Sequence, residues 1–206
     1  MSLEYSVSLR RRIAANLVDH DRYEIPAGGE PRAAVALTLV DRDGRAGYLF
    51  LRRALTLSHN AGQYALPGGR IEVGESAADA ARRELEEELG VELTERSVLG
   101  ELDDMPTRAG GVITPVVLWA DGAPELTPDP GEVHAAWTMA VSELEHPEAP
   151  QRVAVKGLKG KVLRMPVGGE WINPPTAAIL YQFREVALHG AAVRVHDIPH
   201  PDFTEH

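Results

Sequence analysis

Hydrophobic and polar residues alternate with helical spacing near both ends of the chain. Leu9, Ile13 and Leu17 recur four residues apart with arginines between them, which predicts a short amphipathic helix over about 6–18. The segment 174–188 shows a similar pattern after a proline and predicts a second substantial helix. We therefore expect helical elements at both ends of the chain.

A third helix is predicted in the middle of the chain, from about Ala77 to Leu89. Ser76 is a good N-cap with Asp79 three residues later, and Gly90 provides a natural stop. Both ends of this helix are therefore defined by local sequence.

Between the helices lie apolar runs that are rich in β-branched residues and are bounded by turn residues, which predicts strands. These runs cover 33–40, 47–52, 98–102, 112–120 and 134–141. Strands and helices mix without a regular βαβ alternation, which indicates an α+β fold or an α/β sandwich. The length of 206 residues predicts a single domain over 1–206, with the first helix as an N-terminal extension.

The net charge and residue composition of the chain argue against some classes of partner. The formal net charge of −10 argues against a nucleic-acid partner, which normally requires clustered basic residues. No apolar stretch approaches the roughly 20 residues that span a bilayer, and residues 1–12 do not resemble a secretory leader. We therefore expect a cytoplasmic protein without a membrane partner. Cysteine is absent, so a metal would be held mainly by oxygen ligands.

The predicted central helix carries an unusual set of carboxylates. Glu84, Glu87 and Glu88 are three and four residues apart, which places them on one side of about one helical turn. Like charges at this spacing destabilise a helix by about a few tenths of a kcal/mol per pair, and a divalent cation would neutralise them. The alternative is a solvated acidic face. The preceding Gly68–Gly69 turn favours the functional interpretation, because it lets backbone approach the helix closely.

The residues from Gly69 to Val91 fall into one fixed frame. Glycine is followed after five residues by Glu75 and after seven more by an Arg-Glu-aliphatic-any-Glu-Glu-any-Gly-aliphatic run. This frame resembles the Nudix box at every defined position. The resemblance implies an α/β/α sandwich with a mixed central sheet. It also implies hydrolysis of a diphosphate bond in a small nucleotide-like substrate, with Mg²⁺ or Mn²⁺ as the cofactor.

The same resemblance implies roles for individual residues. Glu84, Glu87 and Glu88 correspond to the metal-binding set, and Glu87 is also expected to be catalytic. Arg83 resembles the arginine that pairs with a glutamate of the box and holds it in position. Glu75 corresponds to a residue that is either linked to the metal or the general base, and both alternatives stay open.

A further carboxylate is expected from the turn just before the last predicted strand. Glu132 is the candidate for an additional metal ligand or base, because many members of the family draw one from a similarly placed loop. The alternative is an ordinary acidic residue of a surface loop. Its position depends on how that loop folds.

The segments 49–54 and 61–69 resemble the signature that precedes the box in coenzyme A diphosphatases of the Nudix family. Where that subgroup usually has arginine and histidine, this chain has Ser58 and Asn60. Because serine cannot replace the charge of arginine, either another arginine compensates or the substrate differs. The candidate substrate-binding residues are Arg52, Arg53, Gly68, Gly69 and Arg108.

Two other functions stay open. Pro106 lies at about the distance from the box seen in ADP-ribose diphosphatases, which keeps ADP-ribose or another nucleoside diphosphate derivative as an alternative substrate. A non-catalytic Nudix-like module that senses a nucleotide is the alternative from another class. Many relatives are dimers, so a homodimer is also a candidate state. The tryptophans are expected in the core or in a pocket wall, with Trp171 a candidate contact for adenine.

Overall fold

The computed structural model describes residues 3–107, 109–155 and 160–198. Three α-helices occur there: α1 at Val7–Asp19, α2 at Ala77–Leu89 and α3 at Thr176–Gln182. A π-helix at Phe183–Leu188 continues α3, and short 3-10 helices lie at Glu95–Ser97 and Val141–Glu145. The strands are β1 (Arg32–Arg42), β2 (Arg45–Arg53), β3 (Tyr64–Ala65), β4 (Gly68–Arg70), β5 (Val98–Glu101), β6 (Met105–Pro106), β7 (Val112–Trp119), β8 (Val133–Ala140), β9 (Gln151–Ala154), β10 (Lys161–Val167) and β11 (Glu170–Ile172).

Eight of these strands form one mixed sheet. Its main path runs β3-β2-β1-β7-β5, with β4 paired to β1, β6 to β7 and β8 to β2. The central pair β1 and β7 is parallel, while β1 with β2 and β2 with β8 are antiparallel. The predicted mixed central sheet is therefore confirmed.

Helices cover both faces of this sheet. On one face, Leu85 and Leu89 of α2 are fully buried in a cluster with alternate residues of β1, β2 and β7. On the other face, α1 and α3 contribute to a larger cluster that includes Phe50 and Phe183. Because apolar residues of a strand alternate between its two faces, β2 supplies both clusters. The α+β fold with an α/β/α sandwich is thus confirmed.

The first helix belongs to the larger cluster. Leu9, Ile13 and Leu17, which predict the helix, are its buried residues. Ser6 caps it by accepting a hydrogen bond from the Leu9 N–H at 3.3 Å. The segment expected as an N-terminal extension is therefore a helix whose apolar side is packed into the core.

The ends of α2 agree with the prediction because they depend on local chemistry. Ser76 accepts a hydrogen bond at its Oγ from the Asp79 N–H at 3.1 Å. Gly90 adopts the left-handed conformation at φ 69°, and its N–H donates to the Glu86 carbonyl at 2.8 Å. These two caps fix the length of the helix that carries the box.

The short strands β3, β4 and β6 were not predicted, and two larger differences lie in the C-terminal half of the chain. The helix expected over 174–188 begins two residues later, because Pro175 restricts the residue before it and disfavours a helical Pro174. A second sheet, in the order β11-β10-β9, was not predicted. Its strands are short, and the buried residues of β10 do not alternate strictly with exposed ones, so the pattern does not mark it as a strand.

No helix among the described residues is long and apolar enough to cross a membrane.

Candidate active site

The turn before α2 lets the backbone touch the helix. A Cβ atom added at Gly69 would lie 2.4 Å from the carboxyl carbon of Glu84, and one added at Gly68 would lie 2.3 Å from the Ala34 carbonyl oxygen. Gly68 therefore requires glycine because a side chain there would strike strand backbone, whereas a side chain at Gly69 would displace the Glu84 carboxylate. The turn is held at the end of the sheet by pairing of β4 with β1.

Glu88 is buried under this turn. Its side chain is 1% exposed, and its Oε2 accepts a hydrogen bond from the Gly68 N–H at 2.9 Å. Nη1 of Arg53 lies 3.6 Å from its Oε1. Burial raises the pKa of Glu88 to about 7, and the Gly68 N–H and Arg53 offset that rise only in part. Glu88 is therefore a carboxylate whose charge is poorly compensated by the protein.

Glu84 lies one turn earlier on the same face, with its side chain 13% exposed. Burial is also the largest cause of its raised pKa, and the hydrogen bond from Arg83 opposes this rise. The charge of Glu132 raises the pKa of both Glu84 and Glu88. The structure therefore brings three carboxylates to one region, with Glu132 the exposed member.

The loop that carries Glu132 is attached to the C-terminal end of α2. Backbone N–H groups of Thr127 and Asp129 donate to the last carbonyls of the helix, at Leu89 and Glu88, over 2.9 and 3.0 Å. These bonds satisfy carbonyls that a helix end leaves without partners. The sequence left the position of this loop open, and the structure shows that its backbone is hydrogen-bonded to the helix that carries the box.

Arg83 connects the remaining glutamates. Its Nε and Nη2 donate to the two carboxylate oxygens of Glu75 over 3.0 and 3.2 Å. Its Nη1 donates to Glu84 over 2.8 Å and to Glu87 over 2.9 Å. Its Nη2 also donates to the Arg70 carbonyl oxygen over 2.9 Å. One planar guanidinium thus holds three glutamates and the turn in register.

These bonds place Glu75 and Glu87 in different environments from Glu88. The hydrogen bonds from Arg83 hold the pKa of Glu75 below its usual value, and its Oε2 also accepts from the Glu72 N–H. Glu87 is 57% exposed and contacts Arg83. The sequence did not indicate that the Arg70 carbonyl would accept a hydrogen bond from Arg83, since every residue has a backbone carbonyl and residue type does not show which one is used.

The candidate substrate-binding residues separate at the end of β2. Arg53 faces Glu88, whereas Arg52 donates from its Nε to the Gly62 carbonyl at 3.0 Å and lies over the ring of Tyr64. Alternation along the strand sends the two side chains to opposite faces. Arg108 lies outside the described residues.

Carboxylate oxygens are the kind of ligand that a hard divalent cation prefers. Glu84, Glu88 and Glu132 each supply oxygen atoms, and their mutual repulsion and burial would be relieved by positive charge. Among the described residues, however, no three His, Asp or Glu side chains already form a closed ligand group.

Comparison with known proteins agrees with this geometry. A family model described as the NUDIX domain matches residues 30–156, which is more than half of the chain. The chain therefore belongs to the Nudix family. The match includes the box, the sheet strands β1 to β8 and the loop with Glu132.

Among curated proteins, the chain is 31% identical over 134 residues to Nudix hydrolase 3 of Caenorhabditis elegans, covering 58% of this chain and 56% of that protein. It is 33% identical over 112 residues to the uncharacterized Nudix hydrolase NudL of Photorhabdus laumondii, covering 54% and 59%. The chain thus spans little more than half the length of these relatives.

A solved structure, the MutT/nudix family protein of Enterococcus faecalis, superposes with a TM-score of 0.58. Its sequence is 15% identical, and the match covers 79% of this chain and 64% of that one. This likeness supports the fold.

Proposed function

We propose that this chain hydrolyses the diphosphate bond of a nucleoside diphosphate-linked substrate with Mg²⁺ or Mn²⁺ as cofactor. The observation that carries the proposal is the burial of Glu84 and Glu88 against the Gly68–Gly69 turn. Burial raises the pKa of both carboxyl groups, so a cation bound there would stabilise their charged forms. A purely structural role leaves this arrangement without a reason.

The chain's own residues would divide the work. Glu84, Glu87 and Glu88 would hold the cation, and Glu132 would add a ligand or accept a proton from the attacking water. When bound, the cation neutralises the diphosphate and lowers the pKa of a water molecule. Glu87 and Glu132 are the exposed members of these four, and Arg83 donates a hydrogen bond to Glu87, so Glu132 is the one suited to proton transfer.

Arg83 and Glu75 would act by positioning. Because both oxygens of Glu75 accept hydrogen bonds from Arg83, Glu75 in this arrangement anchors the guanidinium that orients Glu84 and Glu87. A role of Glu75 as the base would require it to leave Arg83. The arrangement therefore favours the positioning role for Glu75. Arg83 is the central positioning residue, because it contacts Glu75, Glu84 and Glu87.

Coenzyme A or one of its derivatives is the substrate that we propose first, because of the resemblance carried by the segments 49–54 and 61–69. ADP-ribose or another nucleoside diphosphate derivative is the second candidate. At the end of β2, Arg53 faces Glu88 and is placed to receive a phosphate group beside the carboxylates, whereas Arg52 lies on the other face of the sheet. A nucleotide sensor without turnover is the competing function.

Product analysis would distinguish these functions. Coenzyme A, ADP-ribose and NADH would be offered in parallel with Mg²⁺ or Mn²⁺ to wild type, Glu87→Gln, Glu88→Gln and the control Glu86→Gln. Glu86 is exposed on the same helix and occupies an undefined position of the box, so its change should leave turnover intact.

Release of adenosine 3′,5′-bisphosphate from coenzyme A, lost only in the Glu87 and Glu88 variants, would support the proposal in full. Turnover of ADP-ribose alone would keep the mechanism and reject the first substrate. Metal-independent binding with no turnover of any of the three compounds would instead favour the sensor.

A further inference from the structure

An aromatic cleft lies where the second sheet meets the main sheet, on the face opposite α2. One cavity of about 310 Å³ is lined by Phe50, Tyr64, Trp137 and Met139 together with residues of β10 and β11. A neighbouring cavity of about 200 Å³ is lined by Tyr64, Trp171 and the turn that follows it. The two cavities share Tyr64 and Glu170, and neither is lined by the glutamates of the box.

Large aromatic rings are left accessible in this cleft. Tyr64 is 40% exposed and Trp137 is 39% exposed, with their ring centroids 5.9 Å apart. Tyr64 also stacks on the buried Phe50, with an angle of 11° between the rings. The centroids of these two rings are 6.1 Å apart, and the exposed rings offer a surface on which a planar group can stack.

The polar groups around the rings indicate the chemistry of the occupant. Gln63 and Asn173, which have side-chain amides, and Glu170, which has a carboxylate, are among the residues that line the cavity. An acyl chain would leave these groups without partners, whereas a heterocycle can hydrogen-bond to them. The carboxylate disfavours a phosphate in the cleft and favours an amino group.

The end of β2 carries two consecutive arginines, one on the face of the cleft and the other on the face of the carboxylates. The guanidinium carbon of Arg52 lies 5.8 Å from the centroid of the Tyr64 ring. The next residue, Arg53, reaches Glu88 with a separation of 3.6 Å. A nucleotide with its base on Tyr64 would therefore have the positive charge of Arg52 beside it, while Arg53 and the carboxylates lie on the other face of the sheet.

We propose that this cleft is a binding subsite for an amino-bearing nucleobase, such as adenine, with Tyr64 and Trp137 as the stacking residues. The assignment rests on the proposed function for the nucleotide nature of the substrate. It adds the location of the base, which neither the box nor the family match assigns. Because both rings lie away from the carboxylates, they would contribute to binding and not to bond cleavage.

Calorimetric titration with AMP and with adenosine, in buffer containing EDTA, tests this subsite separately from turnover. The proteins would be wild type, Tyr64→Ala, Trp137→Ala, Glu88→Gln and the control Tyr23→Ala. Tyr23 is 41% exposed, like Tyr64, but it stacks on His196. Base stacking on a protein ring predicts that each cleft variant weakens AMP binding by about tenfold or more. Circular dichroism would check that each variant is folded.

Binding that is weakened in both cleft variants and retained in Tyr23→Ala and Glu88→Gln would support the subsite. The same pattern without turnover of any dinucleotide would reject the proposed hydrolysis and leave the subsite standing. Equal binding by all variants, or no binding of AMP and adenosine by wild type at millimolar concentration, would overturn it.

Discussion

Replacing Arg83 by methionine tests whether one guanidinium organises the carboxylates. Methionine keeps a similar stem length and removes the charge together with the five hydrogen bonds to Glu75, Glu84, Glu87 and the Arg70 carbonyl. The matched control is Arg82→Met. Arg82 is the adjacent arginine on α2 and contacts Asp79 and the Leu93 carbonyl, away from the box glutamates.

The expected loss of stability follows from the exposure of each partner. The contact with Glu87 is worth little, because that side chain is 57% exposed. Glu75 and Glu84 are 15% and 13% exposed, and hydrogen bonds to charged groups contribute about 1.5–3 kcal/mol each when shielded. We therefore expect Arg83→Met to lower the free energy of unfolding by about 2–4 kcal/mol, and Arg82→Met by less than about 1 kcal/mol.

Thermal unfolding and steady-state kinetics would measure the two effects. For a chain of this size, about 1 kcal/mol shifts Tm by about 2–4 °C, so Arg83→Met should lower Tm by roughly 5–15 °C. Loss of a residue that orients metal ligands should lower kcat/KM by about 10–100-fold.

Added Mg²⁺ should raise the Tm of Arg83→Met more than that of wild type, because the carboxylates of this variant have lost the positive charge of the Arg83 guanidinium. Equal Tm and equal kcat/KM for the Arg83 and Arg82 variants would refute this account.

Three other substitutions test the shape of the turn and the charge of Glu88 separately. Gly69→Ala should abolish metal-dependent turnover with little change in Tm, because its Cβ would displace the Glu84 carboxylate. Gly68→Ala should lower Tm, because its Cβ would strike strand backbone. In EDTA, Glu88→Gln should have a higher Tm than wild type, since an amide is buried more easily than a carboxylate; an unchanged or lower Tm would contradict this. Mg²⁺ should raise the Tm of wild type but not of Glu88→Gln, and chelation should reverse the gain, as differential scanning fluorimetry can record.

The local sequence determines much of the candidate site. Ser76 and Gly90 fix the ends of α2, and the spacing of Glu84, Glu87 and Glu88 places them on one side of it. Capping and helical periodicity depend on residues within a few positions of one another, so they can be inferred without knowing the fold. The same reasoning predicts α1 and five strands of the main sheet, β1, β2, β5, β7 and β8, but not the short strands β3, β4 and β6.

The tertiary structure decides what each of these residues experiences. Glu87 and Glu88 are neighbours in the sequence, yet one is exposed to solvent and the other is buried under Gly68. Burial depends on which strand end and which turn pack over each position. These contacts join residues far apart in the chain, so spacing alone could not assign the raised pKa to Glu88.

The aromatic cleft shows the same limit more strongly. Phe50, Tyr64, Trp137 and Trp171 come from four strands, and the last belongs to a sheet that the pattern did not predict. Strand register and the packing of one sheet on another bring them together, and both result from long-range contacts. The sequence therefore determined the family and the helix that carries the carboxylates. Only the tertiary structure brought the aromatic residues together near the end of β2, because no local sequence pattern marks residues that meet through long-range contacts.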